Sequence, residues 1–159
     1  MATGHDLAIA LRAAYLALHR RSEARFAPHG ATADQFVLLA TLARGGEALT
    51  QRELARRMSS DPSTVRAMLV LLERRGLVER DAHPADARAR TVALTAAGKR
   101  AFRKLWAVGE PIRAWMLGAL QPGEVETLVG LLTRVAEVLA ADTLPVGGSG
   151  SSHSSGDET

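Results

Sequence analysis

Apolar positions recur at helical spacing through most of the chain. Leu7, Leu11, Ala14, Tyr15 and Leu18 share one face between Asp6 and Phe26, predicting a first helix that Pro28-His29-Gly30 ends. Thr32-x-x-Gln35 reads as a capping box, in which the threonine hydroxyl accepts from an orphan N–H of the helix it opens. That second helix carries Phe36, Leu39, Ala40 and Leu42 and stops at Gly45-Gly46. A second box, Thr50-x-x-Glu53, starts a short helix through Met58, with Leu54, Ala55 and Met58 as its apolar side. After a Ser59-Ser60-Asp61 turn, Asp61 is a good N-cap and Pro62 suits the first helical position, where a missing N–H costs nothing. This helix runs to Arg75, and Gly76 is its left-handed terminator.

The period then changes. Leu77–Arg80 and Arg90–Leu94 alternate apolar and polar residues, predicting a β-hairpin whose polar tip is Asp81–Ala89. Thr95 caps a helix from Ala96 to about Val108 bearing Phe102, Leu105 and Trp106. Pro111 breaks or bends the helical pattern beyond Gly109, because proline lacks a backbone donor and clashes with the preceding turn. Ile112, Trp115 and Met116 continue the apolar pattern, and Pro122-Gly123 opens a last helix to about Ala141 with Val125, Leu128, Val129, Leu132, Val135 and Leu139 in register. Residues 144–159 are Gly, Ser and acidic residues that cannot offset their ordering entropy by burial, and are expected to be disordered. The fold class is mainly α with a small β-hairpin wing.

Composition removes several function classes. No apolar stretch reaches the ~18–20 residues that span a bilayer; the best candidate, Val125–Ala141, is interrupted by Glu126, Arg134 and Glu137. The start of the chain lacks a basic residue cluster, an apolar run and a small-residue cleavage site, so a cytoplasmic, nucleoid-associated protein is expected. There are no cysteines, and no two of the five histidines lie three or four residues apart, so neither a metal nor another cofactor is expected. Without a glycine-rich phosphate loop or a serine nucleophile turn, nothing suggests an enzyme. The whole chain carries +3, yet Gln51–Lys104 holds thirteen Arg/Lys against six Asp/Glu, an excess of +7. Such a concentration is the signature of a polyanion-binding face.

The 61–75 helix lies inside that basic stretch. Val65, Met68, Leu69 and Leu72 follow the i, i+3, i+4, i+7 pattern of a buried face. Ser63, Thr64, Arg66, Ala67, Val70 and Arg74 are then left on the other side. An α-helix fits the major groove of B-DNA and meets base edges with its N-terminal residues in a helix-turn-helix. Arg66 can fork onto guanine, Ser63 and Thr64 can bond bases or phosphates, and Ala67 can pack on a thymine methyl. The free N–H groups at the helix start are expected to attract phosphate. Gln51 and Arg52, opening the preceding helix, belong to the same expected face. Arg88 and Arg90 of the wing can reach a phosphate strand or the adjacent minor groove. Asp86 is placed to accept from the Arg88 guanidinium and fix its direction. A winged helix used only to bind protein would carry an apolar wing, which these arginines argue against.

The pieces LTQRELARRM, D-P-S-T-V, LERRGLVER, the wing D-A-R and V-A-L-T-A-A-G, all within Leu49–Gly98, closely resemble the MarR family of bacterial transcriptional regulators. The order of helices extends the likeness over about residues 5–142. The resemblance implies a winged helix-turn-helix domain over 1–143, with a DNA-binding core at about 32–95 and a helical dimerisation arm from 5–27 and 96–142. It implies a homodimer, a repressor in most cases, whose two reading helices sit about 34 Å apart on a palindromic operator. It also implies release by a small aromatic or phenolic ligand, for which Arg12, Tyr15, His19, Phe36 and Trp106 are the candidates. Core or dimer packing is the simpler role for Tyr15, Phe36 and Trp106. Pro111 departs from the family pattern, and the lack of cysteine separates the chain from the peroxide-sensing branch.

Overall fold

A computed structural model describes residues 1–46 and 48–141. The expected tail at 144–159 and the last residue of the expected arm lie outside them. The elements are α1 (Gly4–Phe26), a 3-10 turn (Ala27–His29), α2 (Ala33–Gly45), β1 (Leu49–Thr50), α3 (Gln51–Arg57), α4 (Pro62–Arg74), β2 (Val78–Ala82), β3 (Arg90–Leu94), α5 (Ala96–Val108), α6 (Glu110–Gly118) and α7 (Glu124–Ala140). The mainly α class with a wing is observed.

Local chemistry accounts for the boundaries. Thr32 and Gln35 form the expected reciprocal capping box on α2. An unforeseen box, Thr3 with Asp6, starts α1 two residues earlier than the apolar pattern does. At α3 only half of the expected box forms: Thr50 accepts from the Glu53 N–H, while the Glu53 carboxylate turns to Arg56 and Arg57 instead. A charged guanidinium outcompetes a backbone N–H for that carboxylate. Pro111 falls on the second residue of α6, where a proline is tolerated, after α5 has ended on Gly109.

The wing is one strand richer than expected. The sheet order is β1-β3-β2, antiparallel, with Leu49 opposite Val92 and Arg80 opposite Val92 from the other side. Two residues are too few to show alternation, so β1 carries no period-2 signal. The strand pair β2–β3 continues to Ala82 opposite Arg90, which shortens the tip to residues 83–89.

The core gathers Phe26, Leu38, Leu39, Leu54, Val65, Leu69, Leu72 and Val92, all essentially inaccessible. Burying each such side chain contributes about 1.5–3 kcal/mol. The three α4 members anchor that helix, leaving its opposite face to solvent.

Reading helix, wing and α5 meet in one knot. Gly76 (φ +70) ends α4, and the Leu77 N–H returns to the Leu72 carbonyl. The Thr95 N–H donates to the Leu77 carbonyl (3.1 Å), and its hydroxyl donates to the Gly76 carbonyl (2.6 Å). The same hydroxyl oxygen caps α5 by accepting from the Gly98 N–H (3.0 Å). A Cβ on Gly98 would stand 1.9 Å from the Leu77 carbonyl oxygen, so no other residue fits without moving the backbone.

Residues Met1–Met116 form one compact unit, and the remainder, which contains α7, forms a second. Within the first, Leu7, Ile9, Tyr15 and Trp115 are exposed; within the second, Val129, Val138 and Leu139 are more than half exposed.

Gly98→Ala is expected to destabilise the protein by about 1–3 kcal/mol through overpacking, despite alanine's ~1 kcal/mol advantage in helix propensity. Urea unfolding followed by circular dichroism checks this; a stabilised variant would contradict the close contact.

Candidate nucleic-acid interface

The capped starts of α3 and α4 and the wing converge on one groove of about 460 Å³. Gln51, Arg52, Arg66, Asp86, Arg88 and Arg90 all line it, six of the ten residues expected to touch DNA. Ser63, Thr64, Ala67 and Arg74 lie on the exposed face of α4 beside it. Thr50, Pro62 and Ala89 also line the groove. Pro62 and Ala89 carry no polar side chain, and the Thr50 hydroxyl is engaged in capping α3, so residue type alone did not mark them.

Ion pairing sorts the basic residues of this region. Glu53 holds both Arg56 (2.7 Å) and Arg57 (2.8 Å), which pulls its carboxyl down from 4.5 to about 2. Glu73 on α4 holds Arg80 on β2 through both the Nε (2.9 Å) and an Nη of the guanidinium, and its carboxyl is lowered chiefly by that hydrogen bond. By contrast, Arg52, Arg66, Arg74, Arg88 and Arg90 form no ion pair among the described residues. Of these, Arg52, Arg66, Arg88 and Arg90 line the groove, where Asp86 is the one acidic lining residue. Gln51 adds a buried Nε2 that has no hydrogen-bond partner. An orphan buried donor of this kind costs free energy in the isolated protein.

Two expectations are corrected. The start of α4 does not offer free N–H groups to phosphate. Asp61 occupies them, accepting from the Ser63 (3.0 Å) and Thr64 (3.1 Å) amides and from the Ser63 hydroxyl, and its carboxyl is lowered as a result, chiefly by the Ser63 hydroxyl bond. An aspartate N-cap satisfies those donors and brings a negative charge of its own. Nor does Asp86 clamp the Arg88 guanidinium. Its Oδ1 accepts from the Arg88 backbone N–H (3.0 Å), and the Ala89 N–H donates to the Asp86 carbonyl (3.1 Å). Two residues is the natural reach of an aspartate to backbone, not to a long side chain. Asp86 therefore shapes the tip and leaves the Arg88 head group free. His83, overlooked in the sequence, does similar work: its Nδ1 accepts from the Ala85 N–H (3.0 Å).

Three of the five candidate ligand residues share one cleft. Tyr15, His19 and Phe36 line a cleft of about 230 Å³ together with Ile112, Arg113 and Met116. Tyr15 stacks on His19 and Phe36 on Phe26, with ring centroids 5.7 and 4.7 Å apart. Arg12, one turn before Tyr15 on α1, is not among the lining residues. Trp106 lines a separate groove with Arg44 and Arg103. The cation of the cleft is Arg113, packed 3.7 Å over the Trp106 ring and paired with Glu110. Next to the cleft, Glu23 of α1 accepts from the Ala33 N–H at the start of α2 (2.6 Å) and lies 3.9 Å from His19.

Among the described residues, no helix is long and apolar enough to cross a membrane, and no group of acidic residues and histidines is arranged to hold a metal.

Comparison with known proteins agrees with this geometry. The MarR family model matches residues 29–89, from the turn after α1 to the wing. Transcriptional regulator HosA of Escherichia coli O111:H- is 36% identical over 76 residues, 48% of this chain and 56% of that regulator, so the match spans little more than half of its length. Among solved structures, a mutant MarR of E. coli complexed with operator DNA shares 29% identity at a TM-score of 0.71, covering 81% of this chain and 92% of that one. The PcaV transcriptional regulator of Streptomyces coelicolor, in complex with its natural ligand, shares 27% identity at a TM-score of 0.68, covering 87% and 99%.

The Glu53 carboxyl contributes stability above about pH 4.5, and that contribution is lost as pH falls towards about 2. Glu53→Gln is therefore expected to flatten the loss of stability across that window, measured as the urea midpoint against pH; an unchanged slope would show the pairs to be inert.

Proposed function

We propose that the chain is a transcriptional regulator of the MarR family, whose model matches residues 29–89, and that it acts as a homodimeric, sequence-specific DNA-binding repressor on a palindromic operator. The observation that carries the reading is the groove where unpaired Arg52, Arg66, Arg88 and Arg90 meet. Neutralising phosphates releases condensed counterions and drives affinity. Base choice falls to the exposed face of α4: Arg66 for guanine, Ala67 for a thymine methyl, and Thr64 for bases or phosphate. Arg88, on a tip pre-shaped by Asp86, reaches the minor groove or its phosphates. The MarR structure with operator DNA supports this use of the fold.

The DNA-binding core is placed at about 32–95 and the dimerisation arm at 5–27 and 96–142. Exposed apolar residues on α1 (Leu7, Ile9, Tyr15) and on α7 (Val129, Val138, Leu139) support an interlocked homodimer, since a lone protomer would leave them in water. The cleft of Tyr15, His19 and Phe36 is the proposed effector site, a reading supported by its aromatic lining and by the ligand complex of PcaV. An effector that prefers a different spacing of the two reading helices would draw the dimer off its operator by population shift. A cytoplasmic, nucleoid-associated location follows from this role.

Titration of DNA spanning the protein's own promoter region, by fluorescence anisotropy at several salt concentrations, is the test. Arg88→Ala is expected to weaken binding and reduce the salt slope by about one unit, whereas Arg66→Ala relaxes discrimination at one base position by about 1–3 kcal/mol. Parent-like behaviour in both variants would remove the assignment. Sedimentation at micromolar concentration is expected to give a dimer, and monomer alone would end the dimer reading. A salicylate-like effector is expected to raise the melting temperature of the parent and release DNA, and His19→Ala to blunt both responses; no response to any such compound would count against this mode of sensing.

A further inference from the structure

Of the thirteen basic residues in Gln51–Lys104, the DNA interface and the glutamate pairs leave five, of which Arg75 donates to the Gly30 carbonyl (2.8 Å). The other four, Lys99, Arg100, Arg103 and Lys104, stand together on α5. All four are exposed, and none forms an ion pair among the described residues. We propose that this outer face of α5 is a contact surface for the sugar-phosphate backbone of DNA that continues past the wing, an inference that rests on the operator-binding reading above. Gly98 and Leu105 are buried on the opposite side of the helix, so the four cations share one face. In the free protein that face is electrostatically unfavourable. Lys99 is four residues from Arg103 and Arg100 four from Lys104, so like charges stack in two columns. No acidic residue of α5 relieves them. The helix also has no cation in its last turn, where its dipole would favour one, and carries them nearer the end where the dipole is positive. A uniformly basic face that opposes its own helix is relieved by an anion brought to it.

Position selects the anion. Arg90, in the proposed DNA groove, begins β3, and Leu94 ends it about 13 Å away along an extended strand. Leu94 lines a further groove with Lys99 and Arg103, which has no acidic lining residue among the described ones. The Thr95 hydrogen bonds to Gly76 and Leu77 hold the start of α5 to the base of the wing. The cations therefore begin about four base-pair steps from the wing arginines, within the same compact unit. Phosphate contacts there need no base recognition and add affinity without altering sequence choice.

Duplexes of two lengths test this with the full chain. The segment of promoter-region DNA that the double variant Arg100→Gln/Lys104→Gln protects from hydroxyl radicals is prepared as a core duplex, and again with about one helical turn added on each side. Fluorescence anisotropy is read at several salt concentrations. For the parent, the added DNA is expected to tighten binding about tenfold at low salt and to steepen the salt slope by about two units. The double variant is expected to lose that gain, to bind the core within about twofold of the parent, and to melt no lower than the parent because the repulsion is gone. Arg100→Lys/Lys104→Arg, which keeps both charges, is expected to keep the gain. The proposal is overturned by a parent indifferent to the added DNA, or by a double Gln variant that retains the gain, weakens on both duplexes alike, protects no DNA, or melts below the parent. Arg66→Ala and Arg88→Ala are expected to weaken on the core yet still gain from the added DNA. Parent-like behaviour of those two on the core would remove the groove assignment and leave the α5 surface standing, whereas a parent that binds neither duplex would remove both.

Discussion

The Leu77 carbonyl is the point on which the rest of the architecture depends. It accepts the Thr95 N–H and lies against Gly98, while the neighbouring Gly76 carbonyl accepts the Thr95 hydroxyl. Within three residues the reading helix ends, the first wing strand begins and α5 is held against both. Because Gly98 has no side chain, α5 can start in contact with a backbone oxygen instead of a side chain's width away. The angles between α4, the wing and the helix leading towards the proposed dimer arm are thereby set by hydrogen bonds and a steric stop, which deform far less readily than apolar packing alone.

Charge is distributed by the same economy. An excess of +7 over Gln51–Lys104 would make an indiscriminate polyanion surface if every cation were free. Glu53 pairs with both Arg56 and Arg57, and Glu73 with Arg80, which ties the wing to α4; none of these arginines lines the groove. The arginines left unpaired in the groove are the ones that α3, α4 and the wing bring together. Net charge marked the region, and ion-pair geometry decides which residues within it are available to a ligand.

Much of the fold was legible because its signals are local. Thr32/Gln35, Asp61-Pro62, Gly76 and Thr95 announce their helix boundaries within four residues, and the α4 stripe of Val65, Leu69 and Leu72 is complete in the linear pattern. The site was legible for the same reason, since six of its residues fall on two helix starts and one hairpin. What was missed depends on distance or competition. Strand β1 exists only through its pairing with β3. The Glu53 carboxylate had two possible partners, and spacing could not rank them. Asp86 and Arg88 were correctly placed in one loop, yet whether a carboxylate meets a guanidinium or a backbone N–H is a matter of loop curvature. Arg12 and Trp106 were grouped with Tyr15 by residue type, and spacing along the chain does not show that Arg113, 3.7 Å over the Trp106 ring, is the cation that lines the cleft.

Asp61 carries a consequence for the search a regulator must make. The proposed reading helix begins with a carboxylate that is already committed to its own amides and holds its charge throughout the physiological range. A phosphate brought against the Asp61 carboxylate meets repulsion, which weighs against registers that place one there and so bears on the ratio of specific to non-specific affinity. For a protein facing a chromosome of competing positions, occupancy of the right site is governed by that ratio and not by tightness alone. A single capping residue, needed in the first place to start a helix, thus also adds a negative charge next to Pro62 of the proposed DNA-binding groove.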